Sequence, residues 1–336
     1  MKSSVQVEHF AFAADDGYAV PLRVAVCSLL NACARNGGEI SVHVLDLGIS
    51  DSSWESSVEI WKRLMPEVKV CRHPIDASRY KDFRLWHGSL ATYARIDLPE
   101  LLADVDWCFY FDCDVMIVRD PRMLSTMCAD DVALIGHVVR EDIFTAIDGR
   151  WLVANGLPAD GAHFVCAGVL MMNLDWLRKN DKVSACYDFL ARYKDAVTPD
   201  QLALNCTCRG HVQPLPEGWG VISDEAMKVE DCGCIHFAGL VPWRAARGLG
   251  YYCGEQKLAD IWRRFAVETA GIPPEKVDAL SWRKTWCHRL CGAVAWQILK
   301  LCARLNAYPR KYERLIESVR VRERVHAAER ISKQLL

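Results

Sequence analysis

The chain has 336 residues, 51% of them hydrophobic and 25% charged. This is the balance of a globular protein long enough to bury a full core, and it excludes a disordered, collagen-like or low-complexity chain. The formal net charge is only −2, but residues 281–336 carry a net +9 and the remainder a net −11, so a basic tail on an acidic body is expected to meet phosphates or an anionic membrane.

From the N-terminus, Met1-Lys2-Ser3-Ser4 runs into Val5-Gln6-Val7 with no apolar leader and no cleavage site, so no secretory signal is expected. Strand-like runs cover Glu8–Ala14, Ile40–Leu47, Val68–Arg72, Trp107–Phe111 and Val132–Val138. Helix-like runs cover Val20–Arg35, Ser52–Met65 and Ser89–Ala103. This alternation predicts an α/β fold with a mainly parallel sheet flanked by helices. Ligands on such sheets bind beyond the carboxyl ends of strands, where Asp15/Asp16 and Asp112/Asp114 fall.

The second acidic pair sits inside the apolar run from Trp107 to Val118. Unpaired carboxylates there would cost several kcal/mol or be forced neutral. Residues i and i+2 of a strand share a face, so Asp112 and Asp114 can converge on one cation, and a divalent metal carrying a phosphate ligand is the natural candidate. The plainer alternative is a strand ending at Phe111 followed by two solvated loop carboxylates.

Beyond this pair, 140–162 mixes polar and apolar residues with Gly149, Gly156, Pro158 and Gly161, and reads as a mobile excursion near the site. A strand is expected over His163–Leu174, a helix over Trp176–Tyr193, a short strand over Gly233–Phe237 ahead of a helical region from Glu255 onward. Residues 1–254 are thus expected to form one domain and 255–336 a basic, amphipathic helical region. In the tail, Trp282, Trp286, Leu290, Trp296 and Ile298 lie among Arg283, Lys284, Arg289, Lys300 and Arg304. That mixture suits an interface of anionic headgroups, the alternative being a helix docked on the body. Tyr312–Leu336, highly charged with mixed signs, reads as a solvated helix. No stretch is expected to span a bilayer: the best candidate, Cys291 to Leu299, is interrupted by Gln297 and falls short of the ~18 apolar residues required. The sixteen cysteines read as reduced, packed thiols, and the pairs Cys206/Cys208 and Cys232/Cys234 have C-x-C rather than the usual zinc spacing.

Several separated segments together resemble one family. Phe12-Ala13-Ala14-Asp15-Asp16-Gly17-Tyr18, His43-Val44-Leu45-Asp46-Leu47, Ala91-Thr92-Tyr93-Ala94-Arg95-Ile96, Tyr110-Phe111-Asp112-Cys113-Asp114-Val115, Ala167-Gly168-Val169-Leu170-Met171-Met172-Asn173-Leu174, Pro199-Asp200-Gln201 with Leu204-Asn205, and His236-Phe237-Ala238-Gly239 with Pro242-Trp243 occur in order. In this respect the chain resembles glycosyltransferase family 8, most closely its bacterial enzymes that build lipopolysaccharide or lipooligosaccharide with α-linked galactose or glucose. The resemblance implies a GT-A, Rossmann-like fold and a retaining transfer of a hexose from a UDP-sugar to a glycan hydroxyl. It implies a metal held by Asp112, Asp114 and His236, with Mn²⁺ favoured by the nitrogen ligand and Mg²⁺ as the other possibility. It implies donor contacts at Ala13, Asp15, Gly17, Asp112, Cys113, Cys166, Ala167 and Gly239, and reaction-centre roles for Arg95, Asp200 and Gln201. The partners implied are a UDP-sugar and a glycan or glycolipid acceptor, with no nucleic acid, at the cytoplasmic face of the membrane.

The departures cluster around the sugar. Cys166 stands where the family has Asn, Val241 stands before Pro242 where it has Lys, Leu202 follows Gln201 where the lipooligosaccharide enzymes have an acid, and the acid expected near Val138–Glu141 is not clearly placed, Arg140 lying there with Glu141 and Asp142 just beyond. Arg244 or Arg247 could take over the role of the lost lysine. Two rivals follow from the same residues: a phosphatase of the haloacid dehalogenase type, whose motif is also a strand followed by D-x-D, and a nucleotide-sugar binder without turnover.

Overall fold

The computed structural model describes residues 8–86, 88–226, 229, 231–238, 242–243, 256–277, 294, 297–298, 301 and 327–335. The basis of the fold is a seven-stranded, mixed, mostly parallel sheet. Its strands are β1 (His9–Ala14), β2 (Ser41–Asp46), β3 (Lys69–Pro74), β4 (Trp107–Phe111), β6 (Leu134–Val138), β7 (Val165–Asn173) and β8 (Val212–Pro214), in the order β3-β2-β1-β4-β7-β6-β8. A second sheet of three strands contains β5 (Val115–Ile117), β9 (Trp219–Ile222) and β10 (Cys234–His236), in the order β5-β10-β9.

The strands carry apolar side chains on both faces because both faces are covered. In β1, Phe10 and Phe12 enter one core with helices Ala19–Ala34 and Gln256–Glu268, whereas Ala11 and Ala13 enter the other. In β4, Phe109 and Phe111 stack on the β1 phenylalanines at ring separations of 5.4 and 5.8 Å, and Tyr110 faces the second core. Burial of this kind is worth ~25 cal/mol per Å² of apolar surface, which is what holds the layers together. Helix Asp16–Ala34 is long and apolar enough to cross a membrane, contrary to the expectation that no stretch is, but 67% of its window is buried as core.

The sheet order reverses at β1. Strand β2 lies parallel on one side of it and β4 parallel on the other, which opens a crevice past their carboxyl ends. Strand β7 pairs antiparallel with β4, so its N-terminal half lies beside the end of β4, with Phe111 opposite Val169.

Three segments between residues 89 and 193 differ from the sequence reading. The stretch 140–162 is packed: helices Glu141–Ala146 and Asp148–Ala154 bury Phe144, Trp151 and Leu152, and Phe144 lies 5.0 Å from Phe164 ring to ring. Over Ser89–Ala103 the chain is a 3₁₀ helix from Ala91 to Asp97 followed by one α turn, Leu98–Leu101. The expected helix Trp176–Tyr193 divides into Leu174–Lys179 and Lys182–Arg192 at Asp181, whose φ is +56°.

The described end of the tail, Ala327–Leu335, is not a fully solvated helix. Ile331 and Leu335 share one face and are buried in the first core, and Asn31 donates to the Leu335 carbonyl at 3.2 Å. The tryptophans of the basic tail lie outside the described residues.

Candidate active site

Asp112 and Asp114 lie at the reversal crevice, but not on a strand. Strand β4 ends at Phe111, and a turn over Asp112–Asp114 leads into β5. The carboxylates are nevertheless held rather than solvated. The Asp112 backbone N–H donates to the Gly168 carbonyl at 2.8 Å, and Phe237 N–H donates to the Asp114 carbonyl at 2.8 Å. Pairing of β10 with β5 sets His236 opposite Val115, which brings its Nε2 to 3.2 Å from Asp114 and 3.8 Å from Asp112.

Ligand atoms of Asp112, Asp114 and His236 all lie within 4.8 Å of one another. Gly168 makes room for them. A Cβ on Gly168 would sit 2.7 Å from His236 Nε2 and 2.8 Å from Asp112 Oδ2, so the close approach of the two ligands depends on a residue without a side chain. Two carboxylates and an imidazole around such a cradle fit a divalent transition ion. Burial alone would strip the His236 proton, but Asp114 and Cys166 hold it, and its pKa stands well above the ordinary value. Burial raises the Asp112 carboxyl against the pull of Arg95. The same burial at Asp114 is outweighed by His236, which lowers it.

Arg95 joins the metal end to the second half of the cleft. It is 3% exposed, it donates to Asp112 Oδ1 at 2.7 Å, and its Nε lies 3.1 Å from Asp200. It also donates to the Ala167 carbonyl and lies over the Tyr110 ring, 4.4 Å from its centroid. Burial disfavours its charge, but Asp112, Tyr110 and Asp200 keep it protonated. Replacing Arg95 by Ala would leave the buried Asp200 carboxylate without its ion pair and remove the closest cation from Asp112, and a loss of about 3–5 kcal/mol in urea unfolding is expected. Arg95→Lys should recover only part of it, since an ammonium cannot span both carboxylates as the planar fork does.

Gln201 is held at both ends of its amide. Its Oε1 accepts from Ala167 N–H at 3.1 Å, and its Nε2 donates to Asp148 at 3.3 Å. Asp148 is buried, accepts a hydrogen bond from the Thr198 hydroxyl, and was not singled out by sequence reasoning. It is the acid that the segment after Val138 brings to the site. Burial lifts its pKa to about 6, against the Thr198 and Gln201 hydrogen bonds. The folded state therefore binds a proton that the unfolded chain releases near pH 4. Stability should fall as pH rises from about 4 to about 6, by on the order of 3 kcal/mol from this group. Urea unfolding across that range should show the slope, and Asp148→Asn should flatten it.

At the other end of the cleft, Asp15 accepts from the Ser89 hydroxyl at 2.6 Å. Ala13, Tyr18, Trp86, Cys113 and Thr92 share that wall with Asp112 and Asp114. Gly17 lies just beyond Asp15 on the exposed turn after β1. Cys166, Ala167, Asp200, Gln201, His236 and Ala238 line the adjoining pocket, with Arg95, Asp112 and Asp114 common to both. The structure thus brings together Ala13, Asp15, Arg95, Asp112, Cys113, Asp114, Cys166, Ala167, Asp200, Gln201 and His236. Gly239, Val241, Arg244 and Arg247 lie outside the described residues. Trp86, Ser89 and Thr198 join the site without a signal beyond their nearness in sequence to motif residues, Tyr110 lies in the Asp112 motif with no role assigned to it there, and Asp148 had no signal at all.

Comparison with known proteins agrees with this geometry. Residues 9–246 match the model of glycosyl transferase family 8. The crystal structure of the galactosyltransferase LgtC in complex with donor and acceptor sugar analogues is 26% identical with a TM-score of 0.66, covering 80% of this chain and 98% of that one. A sequence from Haemophilus influenzae, provisionally named a glycosyltransferase, is 23% identical over 260 residues, 75% of this chain and 73% of its own. GlyE of Streptococcus pneumoniae TIGR4 shares the fold at 16% identity, with a TM-score of 0.59 over 80% of this chain and 62% of its own.

Proposed function

The chain belongs to glycosyltransferase family 8 and is a glycosyltransferase, and from that premise we propose that it moves a hexose, galactose or glucose, from a UDP-sugar to a hydroxyl of a glycan such as lipopolysaccharide core. The transfer retains the anomeric configuration and depends on a divalent metal. The observation that carries this reading is the convergence of Asp112, Asp114 and His236 beside the Arg95–Asp200–Gln201 group in one cleft. Galactose is favoured because LgtC, itself a galactosyltransferase, was solved with donor and acceptor sugar analogues.

Asp112, Asp114 and His236 would hold Mn²⁺, or Mg²⁺ in its place. When bound, such an ion neutralises charge on the departing diphosphate. The nucleoside end would lie toward Asp15, whose carboxylate can accept from a uracil N–H or a ribose hydroxyl. Ala13, Gly17, Cys113, Ala167 and Gly239 would meet the donor at close range, with Cys166 beside them. Asp200 would accept hydrogen bonds from sugar hydroxyls while Arg95 fixes its carboxylate.

Gln201 is neutral and a poor nucleophile, which favours front-face attack over a covalent intermediate. The bond from the anomeric carbon to the phosphate oxygen breaks with its electron pair going to UDP. The acceptor hydroxyl attacks from the same face, and its proton passes to the departing phosphate oxygen. Held by Ala167 and Asp148, the Gln201 amide keeps a lone pair on Oε1 to stabilise positive charge at the anomeric centre. A solved active-site mutant of LgtC that replaces a glutamine by glutamate supports attention to this residue type.

We take residues 1–254 as the transferase domain and 255–336 as a helical region whose helices Gln256–Glu268 and Ala327–Leu335 pack on that domain and whose exposed residues meet the cytoplasmic face of an anionic membrane. Helical residues Val294, Ile298 and Leu301 are 53–57% exposed at a spacing of four and three, which supports an apolar contact strip. To test the proposal, the enzyme is incubated with UDP-galactose and UDP-glucose and a galactoside or glucoside acceptor, and the product is analysed by NMR. An α-linked product from an α-linked donor is expected. A β-linked product, or a glycosylated side chain found by mass spectrometry, would overturn the mechanism.

A further inference from the structure

A second cluster of metal-ligating side chains lies outside the cleft, on the first three strands of the large sheet. His9 is on β1, His43 on β2, and Cys71 and His73 on β3. In the parallel register Ala11 faces His43, His43 faces Cys71, and Leu45 faces His73. Residues directly paired, and those two apart, share a face, so all four side chains emerge on the same side. His43 Nδ1 lies 3.0 Å from His73 Nε2, and His43 Nε2 lies 3.0 Å from His9 Nδ1. Ligand atoms of His43, Cys71 and His73 lie within 4.8 Å of one another.

We propose that His43, Cys71 and His73 form a second metal site, for a thiophilic divalent ion of the zinc class, with His9 orienting His43 from behind. Two nitrogens and a thiolate are the donor set that zinc prefers over magnesium or manganese. Zinc bonds of ~2.0–2.3 Å place tetrahedral ligand atoms ~3.3–3.8 Å apart, and the 3.0 Å between His43 Nδ1 and His73 Nε2 and the 4.8 Å limit on the whole cluster bracket that spacing. The ion would replace the proton shared by His43 Nδ1 and His73 Nε2. His43 Nε2–H would then donate to His9 Nδ1, the outer contact that commonly fixes a metal-binding imidazole. Burial lowers the basicity of all three imidazoles, with the neighbouring rings adding to the effect at His43, whose pKa falls to about 3. Cys71 and His73 are partly exposed, which gives an ion a path in and leaves the fourth position to water. Bridging β2 to the edge strand β3, the ion would staple the open side of the sheet.

The test titrates Co²⁺ into the full-length, metal-stripped protein. One equivalent should produce a near-ultraviolet thiolate-to-cobalt band that added Zn²⁺ bleaches. Cys71→Ser should abolish the band and His73→Gln should weaken cobalt binding at least tenfold, while Cys166→Ser, next to the other cluster, should leave the band in place. Zn²⁺ should also raise the melting temperature of the wild type but not of Cys71→Ser. Absence of the band in the wild type, or its survival in Cys71→Ser, would overturn the proposal and leave a hydrogen-bonded histidine ladder. The transferase reading is untouched by either result, since none of these residues lines the cleft.

Discussion

Asp114→Asn is expected to lower kcat/KM by at least about a hundredfold and to weaken Mn²⁺ binding by at least as much. Asp114 is the carboxylate nearest His236, at 3.2 Å, and the amide keeps its shape while removing the charge. The imidazole should respond too. His236 is held protonated chiefly by Asp114 once burial is overcome, so the variant should lower its pKa. In the wild type an ion must displace that proton, and Mn²⁺ affinity should climb as pH rises toward the His236 pKa. In Asp114→Asn the climb should shift to lower pH, with a weaker plateau. Calorimetric titration of Mn²⁺ at several pH values checks both, and unchanged affinity would remove Asp114 from the ligand set.

Gly168→Ala is expected to be as damaging as loss of a ligand, though it adds only a methyl group. The new carbon would press on the His236 ring and sit 2.8 Å from Asp112 Oδ2. Neither can retreat freely. Asp112 is tied to Arg95 at 2.7 Å and to the Tyr110 hydroxyl at 3.0 Å, and His236 is pinned by the β5–β10 pairing. Overpacking of this kind costs ~1–3 kcal/mol, which a protein of this size survives. The expected result is a folded enzyme with a modestly lower melting temperature and activity reduced by at least about a hundredfold. Full activity would mean that the two ligands are not held as close as the structure places them.

Most of the sheet was legible in the sequence, because β1, β2, β4 and β7 are buried on both faces and read as short apolar runs. The way the acidic pair converges was not. Same-face geometry on a strand was the expected reason, whereas a turn after Phe111 presents the two carboxylates and the small sheet brings His236 to them. That sheet depends on pairing between residues more than 110 positions apart. The facing of Arg95 was hidden because its segment is a 3₁₀ helix, which moves side chains off the α-helical period. Asp148 was missed because its role depends on how 140–162 folds back, and packing around Phe144 has no local signature. The phosphatase alternative had the strand ending at Phe111 and the Asp112-Cys113-Asp114 that follows it in its favour. It loses because the first aspartate is locked to Arg95 and Tyr110 rather than free to attack, and because residues 9–246 match the transferase family.

The central claim is that this cleft breaks a sugar–diphosphate bond with the help of a metal held by Asp112, Asp114 and His236. UDP release from UDP-galactose and UDP-glucose, measured on chelator-stripped enzyme with and without added Mn²⁺ and alongside Asp114→Asn, tests it most directly. Release that requires Mn²⁺ and is lost in the variant is the predicted result. Release that proceeds equally without metal and survives Asp114→Asn would contradict it.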